Sequence, residues 1–563
     1  MVWFQRKVSP RGLVAACVAA LTLLSAAGPM AAAKPGRDHR RSDDPEWQWD
    51  SAGETDVLVV GLSSSHARGK VNSKHGTVLG ELPIVDAVGA SVTAGELDAL
   101  TDDPEVFVVP NVAVDVTGVA DATPRLPASV YPQTTGASTL QADGTTGQGV
   151  TVAVLDTGIA ALPDFAGRIV GGVDFSGEGD PYKDSFGHGT FVSGLIAGNG
   201  ASSQGAYVGE APGASLASVK VAGASGSTDL FTVLRGLQWT VANRKSLNIG
   251  VLNISMGTPP FPSSSINPLD RAVEAVWRSG IVVVTSAGNT GPINGTITSP
   301  GDDPMVITAG ALDDNGTAIA MDDTMTTFSG VGPTAVDGWF KPDLVAAGRS
   351  VVSLRVPDST IDSANPTARV GTANFVGSGT SFSAAITSGA VAMLRQLNPG
   401  WNPDRVKGAL LAGASAGPVG NPFVDGFGSL NVATASKATA VLKQNVPALT
   451  LPNATVSLFV TGAGSAWNGS SWNGSSWKGS SWNGSSWNGS SWNGSSWNGS
   501  SWNGSSWNGS AWNGSSWNGS SWNGSSWNGS AWNGSSWNGS SWNGSSWNGS
   551  SWNGSSWNGS AWN

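Results

Sequence analysis

A chain of 563 residues is too long for one ordinary domain, and its 77 glycines and 27 tryptophans mean that part of it is not a packed core. Charged residues make up only 12% and the formal net charge is -10, so no basic patch suited to nucleic acid is present and none is expected as a partner. Cys17 is the only cysteine, which excludes an intramolecular disulfide and a cysteine metal site, and of the four histidines (His39, His66, His75, His188) only His188 lies beyond the N-terminal region.

Arg6, Lys7 and Arg11 precede an apolar run from Gly12 to about Gly28, followed by Ala31-Ala32-Ala33. This pattern predicts a signal peptide over 1–33, cleaved after Ala33, and hence a secreted protein with no membrane span afterwards. An uncleaved anchor is the competing reading, because the run is barely long enough to span a bilayer. Residues 34–55 are polar and read as a disordered leader.

Residues 56–116 change character. Val57 to Leu62 and Leu82 to Ala90 read as buried strands, Ser91 to Leu100 as a helix opened by Thr93, and Val106 to Val109 as a last strand, together a small α+β module. Residues 117–143, rich in Pro, Ala and Thr, read as a linker.

Over 144–442 apolar runs alternate with helical patterns. The runs are Val150–Leu155, Ser215–Val221, Gly250–Ile254, Ile281–Thr285, Met305–Ala309 and Leu344–Ala347; the helical stretches include Gly189–Ala197, Thr228–Asn243, Pro268–Ser279 and Ser383–Leu397. Such alternation predicts an α/β domain with a parallel sheet covered by helices on both faces, and ligands at the C-terminal strand ends. A further linker, 443–466, leads to a repeat over 467–563, where Trp recurs at every fifth position from Trp467 to Trp562, twenty times. Asn-Gly favours a turn. An odd period turns successive tryptophans to opposite faces of a flat strand, so one such strand cannot align them. The repeat reads either as a flexible linker or as an ordered array that binds glycan or cell-wall polymer by avidity.

Four polar residues lie at the predicted strand ends and helix starts. Asp156 ends the strand Val152-Ala153-Val154-Leu155 before Thr157-Gly158; His188 stands between Gly187 and Gly189 at a helix start; Asn289 ends the strand that runs into Ser286-Ala287-Gly288; Ser381 follows Gly379-Thr380 where a helix opens. Alone, each reads more readily as a turn, capping or satisfied structural residue than as a catalytic one. At a helix N-terminus, however, unpaired N–H groups favour a developing oxyanion beside a serine nucleophile.

Together these motifs resemble the subtilisin-like serine proteases, through Asp156-Thr157-Gly158, His188-Gly189-Thr190, Ser286-Ala287-Gly288-Asn289 and Gly379-Thr380-Ser381 over residues 127 to 440. One departure is Ala385, where that family usually has proline. The resemblance implies a serine endopeptidase acting on proteins or peptides, with Ser381 as nucleophile, His188 as base, Asp156 orienting it and Asn289 at the oxyanion. It also implies a primary substrate pocket walled by Ser255-Met256-Gly257 and Ser286-Ala287-Gly288. An extended substrate-binding strand at Gly223–Ser227 and a preference for apolar or aromatic residues before the cut are expected as well. No cofactor is needed for such chemistry. Structural calcium is compatible with the family, but the pairs Asp302-Asp303, Asp313-Asp314 and Asp322-Asp323 lack the spacing of a calcium loop. The module at 56–116 resembles the family's propeptide inhibitors, implying that the propeptide is an internal partner and that self-cleavage falls between Ala113 and Pro127; a permanent N-terminal domain is the alternative. A disulfide-free secreted protease of this kind looks bacterial. The rival class is a surface-binding protein whose protease domain is only a scaffold, for which loss of a triad residue would be the signature.

Overall fold

The computed structural model describes residues 47–120, 130–260 and 263–439, with the backbone of 466–468, 471–483, 486–518 and 521–562. The expected signal peptide, most of the expected leader and nearly all of the linker 443–466 lie outside these. The chain divides into one compact unit ending at Asn445 and a second beginning at Val446.

The first unit is built on an eight-stranded sheet. Its main path runs Thr324–Met325, Ile307–Asp313, Val282–Ser286, Ile249–Ile254, Thr151–Asp156, Ser215–Lys220, Ile169–Asp174, and Leu344–Ala347 pairs with Ile307–Asp313. All pairings are parallel except that of the two-residue edge strand Thr324–Met325. Every residue of Thr151–Asp156 and Ile249–Ile254 is buried, as a parallel strand covered on both faces requires. The helices His188–Ala197 and Thr380–Leu397 pack together, and Leu230–Ala242 packs on Pro268–Arg278. Asp229, Asn267 and Asn402 cap their helices through side-chain oxygens, which explains where those helices start.

Residues 54–110 form a four-stranded antiparallel sheet in the order Thr77–Leu82, Ala87–Thr93, Glu54–Val60, Phe107–Pro110, with helices Ser64–Ser73 and Ala94–Thr101. Strand alternation splits its side chains between two cores. Val57, Val59, Val88 and Ala90 join Ala67, Val71, Leu97 and Leu100 beneath its own helices, whereas Leu58, Leu82, Ala87 and Val109 join the core of the larger sheet. Gly80 and Gly89 make room for Phe231, whose ring lies 3.0 Å and 2.6 Å from where their Cβ atoms would be. The module therefore seats on helix Leu230–Ala242, whose first residues are also held by Leu230 N donating to Val112 O and Phe231 N to Asn111 Oδ1.

Three local expectations change. The run Leu82–Ala90 is not one strand: Pro83-Ile84-Val85 makes a 3-10 turn and Asp86 takes a left-handed conformation, so two strands meet there. Helix Ser64–Ser73 carries only Ser64, Ala67 and Val71 inward, too sparse a stripe to read from periodicity. Within the expected linker, Tyr131–Thr134 and Ala137–Ala142 are helical.

In the second unit the repeat strands pair in parallel. Each residue lies opposite the one 20 positions on: Trp467 with Trp487, Trp472 with Trp492, Trp502 with Trp522. Twenty is four five-residue repeats, so neighbouring passes bring tryptophan opposite tryptophan although the period within one strand is odd.

Candidate active site

Asp156 ends a central strand of the sheet, where the backbone turns out through Thr157 and Gly158. Gly158 has φ +113°, and a side chain on Gly189 would strike Gly158 O. Only glycines allow this approach, which sets the start of helix His188–Ala197 against the strand end. His188 Nδ1 then lies 2.8 Å from Asp156 Oδ1 and 3.0 Å from Oδ2, with both side chains buried. A carboxylate facing Nδ1 makes that nitrogen the N–H donor and leaves Nε2 as the acceptor. Asp156 Oδ1 also accepts from Thr157 N at 2.8 Å. Buried Asp184 braces the turn by accepting from Thr157 Oγ1, Gly187 N and Thr190 N, while burial raises its own pKa.

Ser381 lies in the first turn of helix Thr380–Leu397, directly after strand Asn374–Gly379. Its Oγ donates to Ser255 O at 3.2 Å and lies 2.5 Å from Thr117 Oγ1. The direct Ser381–His188 hydrogen bond that proton transfer would use is not made: among the described residues His188 Nε2 has no hydrogen-bond partner. The two groups nevertheless share one wall of the cleft, since the next residue, Phe382, places its ring 5.9 Å from the His188 ring and 4.5 Å from that of Phe191. Asn289 is tied to the same helix start. Its Oδ1 accepts from Thr380 N and Thr380 Oγ1, both at 2.9 Å, which leaves the amide nitrogen as the donor end.

The walls Ser255-Met256-Gly257 and Ser286-Ala287-Gly288 face each other across Thr298. A Cβ on Gly257 would lie 3.0 Å from Thr298 Oγ1, and one on Gly288 would lie 2.7 Å from its Cγ2. Thr298 thus lies against one glycine of each wall. The substrate-binding strand shifts. Gly223–Gly226 is a turn, with Gly226 at φ +75°, and the paired segment is Ser227–Asp229. Sequence reasoning missed both Thr117 and Thr298. Neither sits in a motif, and each matters only through contacts with distant segments.

The acidic pairs differ in setting. Asp302 and Asp303 are buried near Asp270, and Asp270 Oδ2, Asp302 Oδ1 and Asp303 Oδ2 lack hydrogen-bond partners among the described residues. Burial pushes Asp302 up to about 7 and Asp303 to about 6. Oxygens of this kind are calcium donors by chemistry, yet no three acidic or histidine side chains converge on a metal-sized space among the described residues.

Residues 147–428 match the family described as the subtilase family, Peptidase_S8. Serine protease AprX of Bacillus subtilis (strain 168) is 44% identical over 292 residues, which cover 51% of this chain and 66% of that protein. The alkaline protease of Alkalihalobacillus alcalophilus is 32% identical over 365 residues, covering 64% of this chain and 82% of its own length. Among solved structures, fervidolysin from Fervidobacterium pennivorans, a keratinolytic enzyme related to subtilisin, superposes with a TM-score of 0.56 at 22% identity, covering 70% of this chain and 62% of that one, a likeness of fold. The chain belongs to the subtilase family of serine endopeptidases.

Proposed function

We infer that the protein is a secreted, self-processed endopeptidase whose chemistry is carried by Asp156, His188 and Ser381. The observation that supports this best is the buried 2.8 Å pair of His188 Nδ1 with Asp156, standing beside the helix start that carries Ser381. Ser381 Oγ attacks the substrate carbonyl carbon, and His188 Nε2 takes the hydroxyl proton and returns it to the leaving amine. Asp156 keeps the imidazole in the tautomer that can accept and stabilises it once it is protonated. Asn289, through its side-chain amide, and the N–H groups at the start of helix Thr380–Leu397 meet the charge that develops on the carbonyl oxygen. Ser255, Met256, Gly257, Ser286, Ala287 and Gly288 flank the residue before the cut. No step calls for a metal, and any calcium acts on the scaffold.

The N-terminal module is read as the propeptide, released by the enzyme's own cut. Secretion rests on the leader at 1–33; among the described residues no helix is long and apolar enough to cross a membrane. For the tail, the register of 20 residues supports an ordered array over a loose linker, and a binding surface for glycan or cell-wall polymer is the role assigned to it. The test is a fluorophosphonate probe on the secreted, processed protein, with the adduct mapped by mass spectrometry and Ser381→Ala as control. An adduct on Ser381 is the expected result. A folded, processed protein that takes no adduct would replace this reading with the scaffold reading.

A further inference from the structure

Residues 113–120 do not belong to the module's sheet. Ala113–Val116 is an extended segment paired antiparallel on both edges, with Ser227–Asp229 on one side (Thr228 opposite Val114) and with Met256–Gly257 on the other (Met256 opposite Val116). Val116 N donates to Gly226 O at 3.3 Å and Thr117 N to Ser255 O at 3.1 Å. Immediately afterwards Gly118–Ala120 pairs antiparallel with a different strand, Gly118 opposite Gly379 and Ala120 opposite Gly377. One residue lies between these two clamps, and it is Thr117. Its Oγ1 is 2.5 Å from Ser381 Oγ and 2.9 Å from Ser286 Oγ, on the pocket wall.

An extended peptide held by backbone pairing on both sides of a nucleophile is bound as a substrate is bound. The residue whose side chain enters the pocket beside the nucleophile is the one whose carbonyl carbon the nucleophile can reach. We propose that the bond cut in self-processing is Thr117–Gly118, and that the enzyme takes peptides with a small β-hydroxy residue before the cut and a buried β-branched residue three positions earlier, where Val114 lies. This rests on the reading of Ser381 as nucleophile and goes beyond it by fixing the bond and the substrate class.

The step balances within the chain and one water. Ser381 Oγ bonds to the Thr117 carbonyl carbon as its proton passes to His188 Nε2. The bond to Gly118 N breaks, and the new amine takes that proton. Water then adds to the acyl carbon, giving one proton through His188 back to Ser381 Oγ as the ester bond breaks, and the Thr117 carboxylic acid leaves, its remaining proton passing to solvent. In the uncut chain Ser381 Oγ is bonded to Thr117 Oγ1 and Ser255 O and not to His188, whose Nε2 has no hydrogen-bond partner among the described residues.

The test uses the full chain. Wild type and Ser381→Ala are folded separately, and new termini are read by intact mass and N-terminal sequencing. The expected result is a fragment ending at Thr117 and a chain beginning at Gly118 in wild type, with neither in Ser381→Ala. A synthetic peptide of residues 112–121, added to processed enzyme, should be cut at the same bond, and the same peptide with Trp in place of Thr should be cut at least about tenfold more slowly. A Ser381-dependent cut at another bond, or equal rates for the two peptides, overturns the proposal and leaves the protease reading intact. Absence of any Ser381-dependent cut together with absence of a fluorophosphonate adduct overturns both.

Discussion

Replacing Glu210 by Gln should flatten the dependence of stability on pH. Glu210 is fully buried, both of its carboxylate oxygens lack a hydrogen bond of normal geometry, and Thr135 alone gives the charge slight help. Its backbone is pinned, N donating to Leu195 O and O accepting from Gln141 Nε2, so the side chain cannot swing out without disturbing those elements. Burial pushes its pKa from 4.5 up to about 8. A folded-state value above the unfolded one means that folding favours the protonated form. The contribution is complete below the unfolded value and is lost as pH rises through the folded one, on the order of 5 kcal/mol over that window. For a domain of this size that corresponds to roughly 10 °C in melting temperature. Thermal unfolding would be followed by circular dichroism in the full chain carrying Ser381→Ala, which prevents autolysis, at about pH 5 and about pH 9. Asp302 and Asp303 shift in the same direction, and Lys407, lowered to about 8 by burial, in the opposite one, but all three are present in both proteins and cancel in the comparison. The Glu210→Gln protein should lose roughly 10 °C less between the two conditions. Equal losses would refute the assignment of that charge to Glu210.

Asn289→Ala should lower kcat by about 10² to 10³ with little change in KM, the loss known for an oxyanion-hole asparagine of subtilisin; an effect confined to KM would place Asn289 outside the oxyanion site. Thr298 lies against a glycine of each pocket wall, so Thr298→Gly should enlarge the pocket and raise kcat/KM for peptides with Phe or Leu before the cut by roughly tenfold or more relative to Thr; an unchanged ratio would show that Thr298 does not limit it. Asp156→Asn should leave the fold in place and reduce kcat by about 10⁴, as in other serine proteases, because the amide favours the wrong imidazole tautomer.

The sheet was legible because its strands are buried on both faces. Each apolar run, such as Ser215–Val221 against the strand Ser215–Lys220, lies within a few residues of a strand, with no alternation to obscure it. The helix at Thr380 starts earlier than the apolar pattern suggests, since Thr380 and Ser381 are polar yet buried by the walls of the cleft. The pairing of Asp156 with His188 was legible only through the family resemblance of their motifs; of the glycines beside them, Gly189 is the one whose missing side chain permits the approach to the strand end, since a Cβ there would meet Gly158 O and Asp156 Cβ. Thr117 and Thr298 were not readable. Their surroundings come from residues more than a hundred positions away, as with Thr117 against Ser255 and Ser381, and no local propensity carries that information.

The same backbone pairing that would present Thr117–Gly118 for cutting also governs the fate of the two products. Cleavage removes the covalent link at Gly118 but none of the hydrogen bonds from Ala113–Val116 to Ser227–Asp229 and Met256–Gly257. Nor does it disturb the seat of the module on Phe231, or the cap that Asn111 and Val112 supply to helix Leu230–Ala242. A product strand anchored by a folded domain has lost much of its ordering cost in advance, so it should compete well with free peptides of the same sequence. The new amine at Gly118 carries no such anchor on its own side beyond its short pairing with Asn374–Gly379. On this reading, cutting should release Gly118 while the strand Ala113–Val116 stays paired in the cleft, so processed enzyme should gain activity only as the module leaves or is degraded; full activity immediately on cutting, with the module still bound, would refute the retention argued from this pairing.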